Sequence, residues 1–215
     1  ALGGGAILSA PEDSIYVFDE GHHLPDKALS HFASFCRLHS TIAWLQDSKK
    51  LLAQSGPALI AIESAHRLLQ ALPAEIEETI VALQVAEQAV TALFEEADLD
   101  DRRDEQQLRF EHGLVPATLL PVAAVLSAQF QKLASVLARL EKALEEALDD
   151  EFAGMDKSDI ETWHINIGGM LGRVEAALAL WQEYAVSGKD EIPPKARWIT
   201  LLNGAGQLGF ELRCS

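Results

Sequence analysis

Apolar residues recur every three or four positions through most of the chain, which is the spacing of one face of an α-helix. This pattern predicts a first helix from residue 26 to about residue 55, a second over 57–72, and a third from 73 to about 97. Gly56-Pro57 and Pro73 separate these segments, because proline and glycine tend to end helices. The first half of the chain is therefore predicted to be a series of helices.

Two more amphipathic helices are predicted in the second half, from residue 116 to about 150 (the longest) and from 158 to about 184. Ser158, followed three residues later by Glu161, is typical of a capping box at a helix start. In both helices the apolar positions alternate steps of three and four, as in helices that pack along each other. We expect an antiparallel hairpin with the third helix alongside. The seam positions are Leu126, Phe130, Leu133, Leu137, Leu140 and Leu144 in one helix and Ile160, Trp163, Ile167, Met170, Val174, Ala177 and Trp181 in the other.

Short apolar runs predict strands near both ends of the chain. Residues 15–18 are consecutive apolar residues, which favours a short buried strand. Runs at 198–202 and 208–212 flank Asn203-Gly204-Ala205-Gly206, and Asn-Gly between apolar runs favours a β-hairpin. The charged residues over 95–111 are predicted to form a solvated helix end and a loop.

Together these elements predict a mainly α fold, an antiparallel helical bundle flanked by a short strand and a C-terminal β-hairpin. The abundance of Ala and Leu and the low aromatic content of 7% agree with a mostly helical protein. The expected division is a strand segment over residues 1–25, a helical domain over 26–190, and a hairpin segment over 191–215.

Composition narrows the range of partners. A net charge of −16 argues against a general nucleic-acid-binding surface, which would be basic. No uninterrupted apolar run approaches the ~20 residues that span a bilayer, and the acidic polar faces disfavour a membrane-surface helix. Cys36 and Cys214 follow no CxxC spacing, so we expect a reduced, cytoplasmic protein without a disulfide framework.

Candidate chemistry is concentrated directly after the strand at 15–18, where two carboxylates precede a glycine and two histidines. The carboxyl ends of strands in an open α/β sheet face the ligand crevice. There, Asp19 can hold Mg²⁺ and Glu20 can orient or deprotonate an attacking water. The phosphate-binding pattern GxxxxGK(S/T) is absent from the sequence, so we expect the chain to be part of a longer ATPase.

The residues around this acidic pair carry a family resemblance. Asp19-Glu20-Gly21-His22 resembles the DEAH-type motif II (Walker B) of superfamily 2 helicases, with Gly21 where Ala is commoner. The longer string Val-Phe-Asp-Glu-Gly-His-His-Leu-Pro-Asp, residues 17–26, is similar to bacterial DinG helicases, relatives of the iron–sulfur XPD helicases. In that family a large helical insertion, the arch, follows motif II. The resemblance in element order therefore extends over the whole chain.

The resemblance implies a role for each matching residue. Asp19 would coordinate Mg²⁺ through water, Glu20 would contact the metal and activate the hydrolytic water, and His22 would couple the ATP site to moving parts, with His23 supporting it. The family implies ATP-driven 5′-to-3′ unwinding of single-stranded or forked DNA in the bacterial cytoplasm. A 4Fe–4S cluster is expected upstream of this segment, so Cys36 and Cys214 are not expected ligands. By itself this polypeptide is expected to be inactive and a weak DNA binder.

Two interpretations from other classes remain open. The first is a non-enzymatic helical scaffold, favoured by the heptad seams and the missing phosphate loop. The second is a metal-dependent hydrolase with Asp19, Glu20, His22 and His23 as ligands, because imidazole and carboxylate suit Zn²⁺ or Fe²⁺. Four side chains within five consecutive positions rarely converge on one ion, since side chains alternate between faces along a strand.

Overall fold

A computed structural model describes residues 33–55, 59, 61–97, 106–150, 154–204 and 207–215. The strand predicted at 15–18 and the acidic motif with Asp19, Glu20, His22 and His23 lie outside the described residues. The same holds for the charged segment 98–105. Of the chain described, residues 34–215 belong to a single unit.

Four helices make up most of the described structure, and this confirms the mainly α prediction. They are α1 (Leu38–Ser55), α2 (Glu63–Glu96), α3 (Leu120–Asp149) and α4 (Lys157–Tyr184). Helices α3 and α4 pack along each other, with α2 against α3 and α1 against α2. The predicted hairpin with a third helix alongside is therefore confirmed, although the longest described helix is α2, with 34 residues against 30 in α3.

The seam positions predicted from the spacing of three and four are buried in the structure. Phe130 and Leu140 of α3 and Ile167 and Trp181 of α4 are fully shielded from solvent. Helix α3 is long and apolar enough by composition to cross a bilayer, a test that the core helices of globular proteins also pass. Ten residues of this helix, among them Leu126, Phe130 and Leu140, are buried, in the core shared with α2 and α4.

Pro73 does not separate two helices, and the prediction of a break there was wrong. The helix α2 runs through it from Glu63 to Glu96. Pro73 lacks the N–H that would bond to the carbonyl of Leu69, so the local sequence disfavours this geometry. Leu69, Leu72, Ile76 and Ile80 on either side are buried in the same core, and this packing outweighs the local cost.

The predicted capping box at Ser158 is also absent. Helix α4 begins at Lys157 after Asp156, whose side chain makes no capping hydrogen bond. Ser158 lies inside the first turn, and its carbonyl accepts a hydrogen bond from the Thr162 hydroxyl at 2.8 Å. The first turn is closed by backbone hydrogen bonds, in which the N–H groups of Asp159 and Ile160 donate to the Asp156 carbonyl at 3.0 and 3.1 Å.

A four-stranded antiparallel sheet closes one end of the unit. Its strands are β1 (Ser34–Arg37), β2 (Gln106–Arg109), β3 (Arg197–Gly204) and β4 (Gln207–Cys214), in the order β1-β4-β3-β2. The hairpin of β3 and β4 confirms the prediction and is longer than expected, with Arg197 opposite Cys214 and Gly204 opposite Gln207.

Both outer strands were missed by the sequence analysis. Residues 34–37 were assigned to the first helix and residues 106–109 to a charged loop, but they pair with β4 and β3. Each strand has only four residues, too few to establish a periodicity of two. Their hydrogen-bonding partners lie about 90 or more residues away in sequence, so tertiary pairing determines their conformation.

Two buried polar side chains, Tyr184 and Arg197, connect the sheet to the end of α4 through hydrogen bonds. The Tyr184 hydroxyl lies 2.9 Å from the carbonyl oxygens of both Trp198 and Arg213. The guanidinium of Arg197, wholly buried, donates to both carboxylate oxygens of Glu191 at 2.7 and 2.9 Å and to the carbonyls of Gly113 and Glu183 at 3.0 Å. These bonds hold β3 and β4 in fixed positions relative to the helices.

Candidate nucleic-acid interface

The residues predicted to carry catalysis have no described geometry. Asp19, Glu20 and His22, and the alternative ligand His23, all precede the described part of the chain. Within the described ranges, no group of three or more His, Cys, Asp or Glu side chains could hold a metal ion. The candidate site that the described structure does provide is on the sheet.

The two faces of the sheet differ in character. Residues opposite each other in an antiparallel pair have side chains on the same face. One face carries Cys36, Ile199, Leu212 and Cys214, all buried in the hydrophobic core. The other face, which we call the arginine face, carries Phe35, Arg37, Gln107, Arg109, Trp198, Thr200, Glu211 and Arg213.

Phe35 is an aromatic ring between two cations on the arginine face. Its side chain is 51% exposed. The guanidinium carbon of Arg213, directly opposite on β4, lies 5.7 Å from the ring centroid, and that of Arg37 lies 6.0 Å away. Both distances fall within the range of a cation–π contact.

A buried carboxylate positions these two arginines. Glu211 on β4 has only 4% of its side chain exposed, and its two oxygens each accept from an Nε at 2.5 Å, one from Arg37 and one from Arg213. The Arg37 side chain stays 53% exposed and that of Arg213 24% exposed. One carboxylate therefore orients two guanidinium groups while leaving part of each accessible to solvent.

The other half of the arginine face is a polar chain of contacts beside Trp198. The Gln107 side chain donates to the Thr200 hydroxyl at 3.3 Å and accepts from the Nε of Arg109 at 2.8 Å. Arg109 is exposed and stands opposite the half-buried Trp198. Arg109, Trp198, Arg213 and Phe35 thus form one row across the four strands.

This arrangement combines charged and flat apolar groups in a single layer, in which Phe35, Arg37 and Arg109 are exposed. Three arginines and one glutamate give the arginine face a positive charge, although the chain as a whole carries −16. The sequence analysis missed this face because it used the overall charge. The available signal was the alternation of a polar or aromatic residue with an apolar one, as in Phe35-Cys36-Arg37 and Glu211-Leu212-Arg213.

The two cysteines of the chain lie on the opposite, buried face of the sheet. Both are free thiols. Burial raises the pKa of Cys36 to about 11, against a usual value of 9.0, and also raises the pKa of Cys214. A thiol acts as a metal ligand in its deprotonated form, so these groups are poorly suited to that role at neutral pH.

The chain is similar to several proteins named ATP-dependent DNA helicase DinG. With the one from Photobacterium profundum it is 30% identical over 199 residues, which is 92% of this chain and 27% of the relative. With those of Shigella flexneri and Escherichia coli K12 it is 27% identical over 225 residues, covering 100% of this chain and 29% of each relative. No family model matches the chain. The chain therefore spans less than a third of the length of these relatives.

Proposed function

We propose, from the homology of this chain to a segment of the DinG ATP-dependent DNA helicases, that it carries motif II of such a motor and the arch that follows it. The observation that supports this proposal is the extent of the match, 92% to 100% of the chain against helicases more than three times as long. The remaining helicase motifs, including the phosphate loop, then belong to other parts of the parent protein.

The acidic motif supplies the hydrolytic chemistry in this proposal. Asp19 holds Mg²⁺ through water, Glu20 takes the proton from the attacking water, and His22 links the nucleotide site to the moving parts of the motor. Two adjacent carboxylates are the donor set that Mg²⁺ prefers, since it binds hard oxygen ligands together with waters and phosphates. The metal, when bound with ATP, neutralises charge that develops on the transferred phosphoryl group.

The helical unit acts as a wall and gate for one DNA strand. Its long helices pack along one another, and Ser34 and Cys214 are paired on neighbouring strands, so the two ends of the unit lie side by side. This is the geometry of a domain inserted between two parts of a larger one. The acidic surface away from the sheet repels DNA and guides the strand rather than clamping it.

The proposal is tested by single-strand-stimulated ATPase of the full-length parent with Glu20→Gln. Removing the general base is expected to lower kcat about 10²-fold or more. Glu63→Gln, a matched change at a side chain 84% exposed on α2, is expected to leave kcat unchanged. Equal ATPase activity in wild type and Glu20→Gln would contradict the assignment of motif II. No ATPase activity in either protein would favour the interpretation as a non-enzymatic helical scaffold.

The purified 215-residue chain provides a second test. It lacks the GxxxxGK(S/T) loop that cradles the nucleotide phosphates, so it is expected neither to hydrolyse ATP nor to unwind DNA. Turnover that is abolished by Glu20→Gln in this chain would contradict the proposal that the motor is divided between this segment and the rest of the parent.

A further inference from the structure

We propose that the arginine face binds single-stranded DNA, with Phe35 and Trp198 stacking on bases and Arg37, Arg109 and Arg213 contacting phosphates. This inference rests on the proposed function, because it takes the DNA strand handled by a helicase as the occupant. It adds a binding surface on the sheet of the helical unit, made of residues other than those of the motor motif.

The charge of the arginine face identifies the partner as an anion. The described residues of this face include three arginines and one glutamate, and the glutamate is buried beneath two of the arginines. Arg37 and Arg109 reach solvent. A cationic patch on a chain with a net charge of −16 attracts a polyanion to that patch, while the acidic surroundings disfavour its spreading elsewhere.

The aromatic rings distinguish a nucleic acid from an acidic protein. An acidic peptide would need only the guanidinium groups, whereas unpaired bases stack on exposed aromatic side chains and on arginine planes. Phe35 offers such a ring, with half of its side chain exposed and guanidinium groups 5.7 and 6.0 Å from its centroid. Duplex DNA hides its bases from this kind of contact, so the partner is single-stranded.

The spacing of the row fits successive parts of one strand. Phe35 and Trp198 lie on β1 and β3, on either side of Arg213 of β4. Two strand spacings of about 4.8 Å place their backbones about 10 Å apart, with the cation between them. A single strand crossing the row can therefore stack bases at two points and place a phosphate near Arg213. A four-stranded sheet of this size accommodates about two or three bases.

So small a site binds weakly, in agreement with the expectation for the isolated chain. With about three phosphate contacts, the logarithm of the association constant is expected to fall with the logarithm of salt concentration with a slope of about −2, since each contact to a single strand contributes about −0.7. In the parent this face would hold the strand locally while the motor provides the main contacts.

The experiment is fluorescence anisotropy of a labelled oligothymidylate titrated at low salt with the 215-residue chain. We expect Phe35→Ala/Arg109→Gln to weaken binding about tenfold or more and to make the salt dependence shallower. The matched control is Ile165→Ala/Arg67→Gln, which removes one exposed apolar side chain and one exposed arginine from helix positions. The control is expected to bind as wild type does, and all three should share one circular dichroism spectrum.

Several results would overturn the inference. One is that the wild-type chain shows no measurable binding, and another is that Phe35→Ala/Arg109→Gln binds as tightly as wild type does. A third is that the control variant loses as much affinity. The last is that polyglutamate displaces the DNA as readily as unlabelled oligothymidylate does. The Arg109→Glu variant adds a charge reversal at an exposed position and should weaken binding more than Arg109→Gln. The outcome is independent of the ATPase test, because binding by this chain needs no nucleotide and is measured with Glu20 intact.

Discussion

At the scale of single residues, Arg197 shows how a buried charge joins distant parts of the chain. Its guanidinium makes two hydrogen bonds with Glu191 and reaches the carbonyls of Gly113 and Glu183. Burial opposes ionisation of Arg197, but the carboxylate of Glu191 raises its pKa. In return, the hydrogen bonds from Arg197 lower the pKa of Glu191 below its usual value of 4.5. Both partners are therefore ionised at neutral pH.

Glu191→Gln is expected to destabilise the fold by about 2 kcal/mol at neutral pH, the scale of hydrogen bonds to a charged group. Because the Glu191 pKa is lowered by folding, its stabilisation is complete above pH 4.5 and disappears as the pH falls through the folded-state value. Urea unfolding of wild type and variant at neutral and acidic pH measures this difference. A difference in unfolding free energy that stayed constant down to low pH would contradict the predicted pH dependence. Glu63→Gln, at an exposed position, is the control.

At the scale of elements, the sequence predicted those features that depend on the spacing of apolar residues within one continuous segment. The seams of α3 and α4 were recognisable because Leu126, Leu140, Ile167 and Trp181 repeat at helical intervals over about 30 residues. The strands β1 and β2 were not, since four residues carry little periodic signal. The arginine face was therefore missed as well, because its residues come from four separate strands and come together only through pairing across the sheet.

Pro73 allows an element-scale prediction. In the interior of α2 it leaves the carbonyl of Leu69 without its helical donor. Pro73→Ala restores that hydrogen bond and removes the clash of the ring, so we expect it to stabilise the protein by about 1–2 kcal/mol after the greater freedom of the unfolded chain is subtracted. Thermal unfolding by circular dichroism tests it. A lower Tm would show that the proline is accommodated without cost.

At the scale of the whole molecule, residues 34–215 contain their own core, their own sheet and the contacts that join them. The acidic motif at Asp19–His22 lies outside the described residues. The function assigned from the sequence therefore depends on residues outside the described structure, whereas the predicted fold depends on residues within it.

A chain restricted to residues 34–215 is expected to fold by itself. Its unfolding should be cooperative, and its Tm should lie within about 4 °C of that of the 215-residue chain, a shift equivalent to roughly 1 kcal/mol or less. Circular dichroism and thermal scans of both chains measure this. Loss of cooperative unfolding after removal of residues 1–33 would show that those residues are needed to complete the core.

The pairing of Ser34 with Cys214 has a mechanical consequence. Because β1 and β4 are antiparallel, the first residue of one strand and the last of the other lie at the same end of the ladder. Tension that draws the flanking segments apart therefore acts on the hydrogen bonds one after another, as a zipper opens, instead of being shared among them. We therefore expect the ladder of β1 and β4 to open before the packed helices separate.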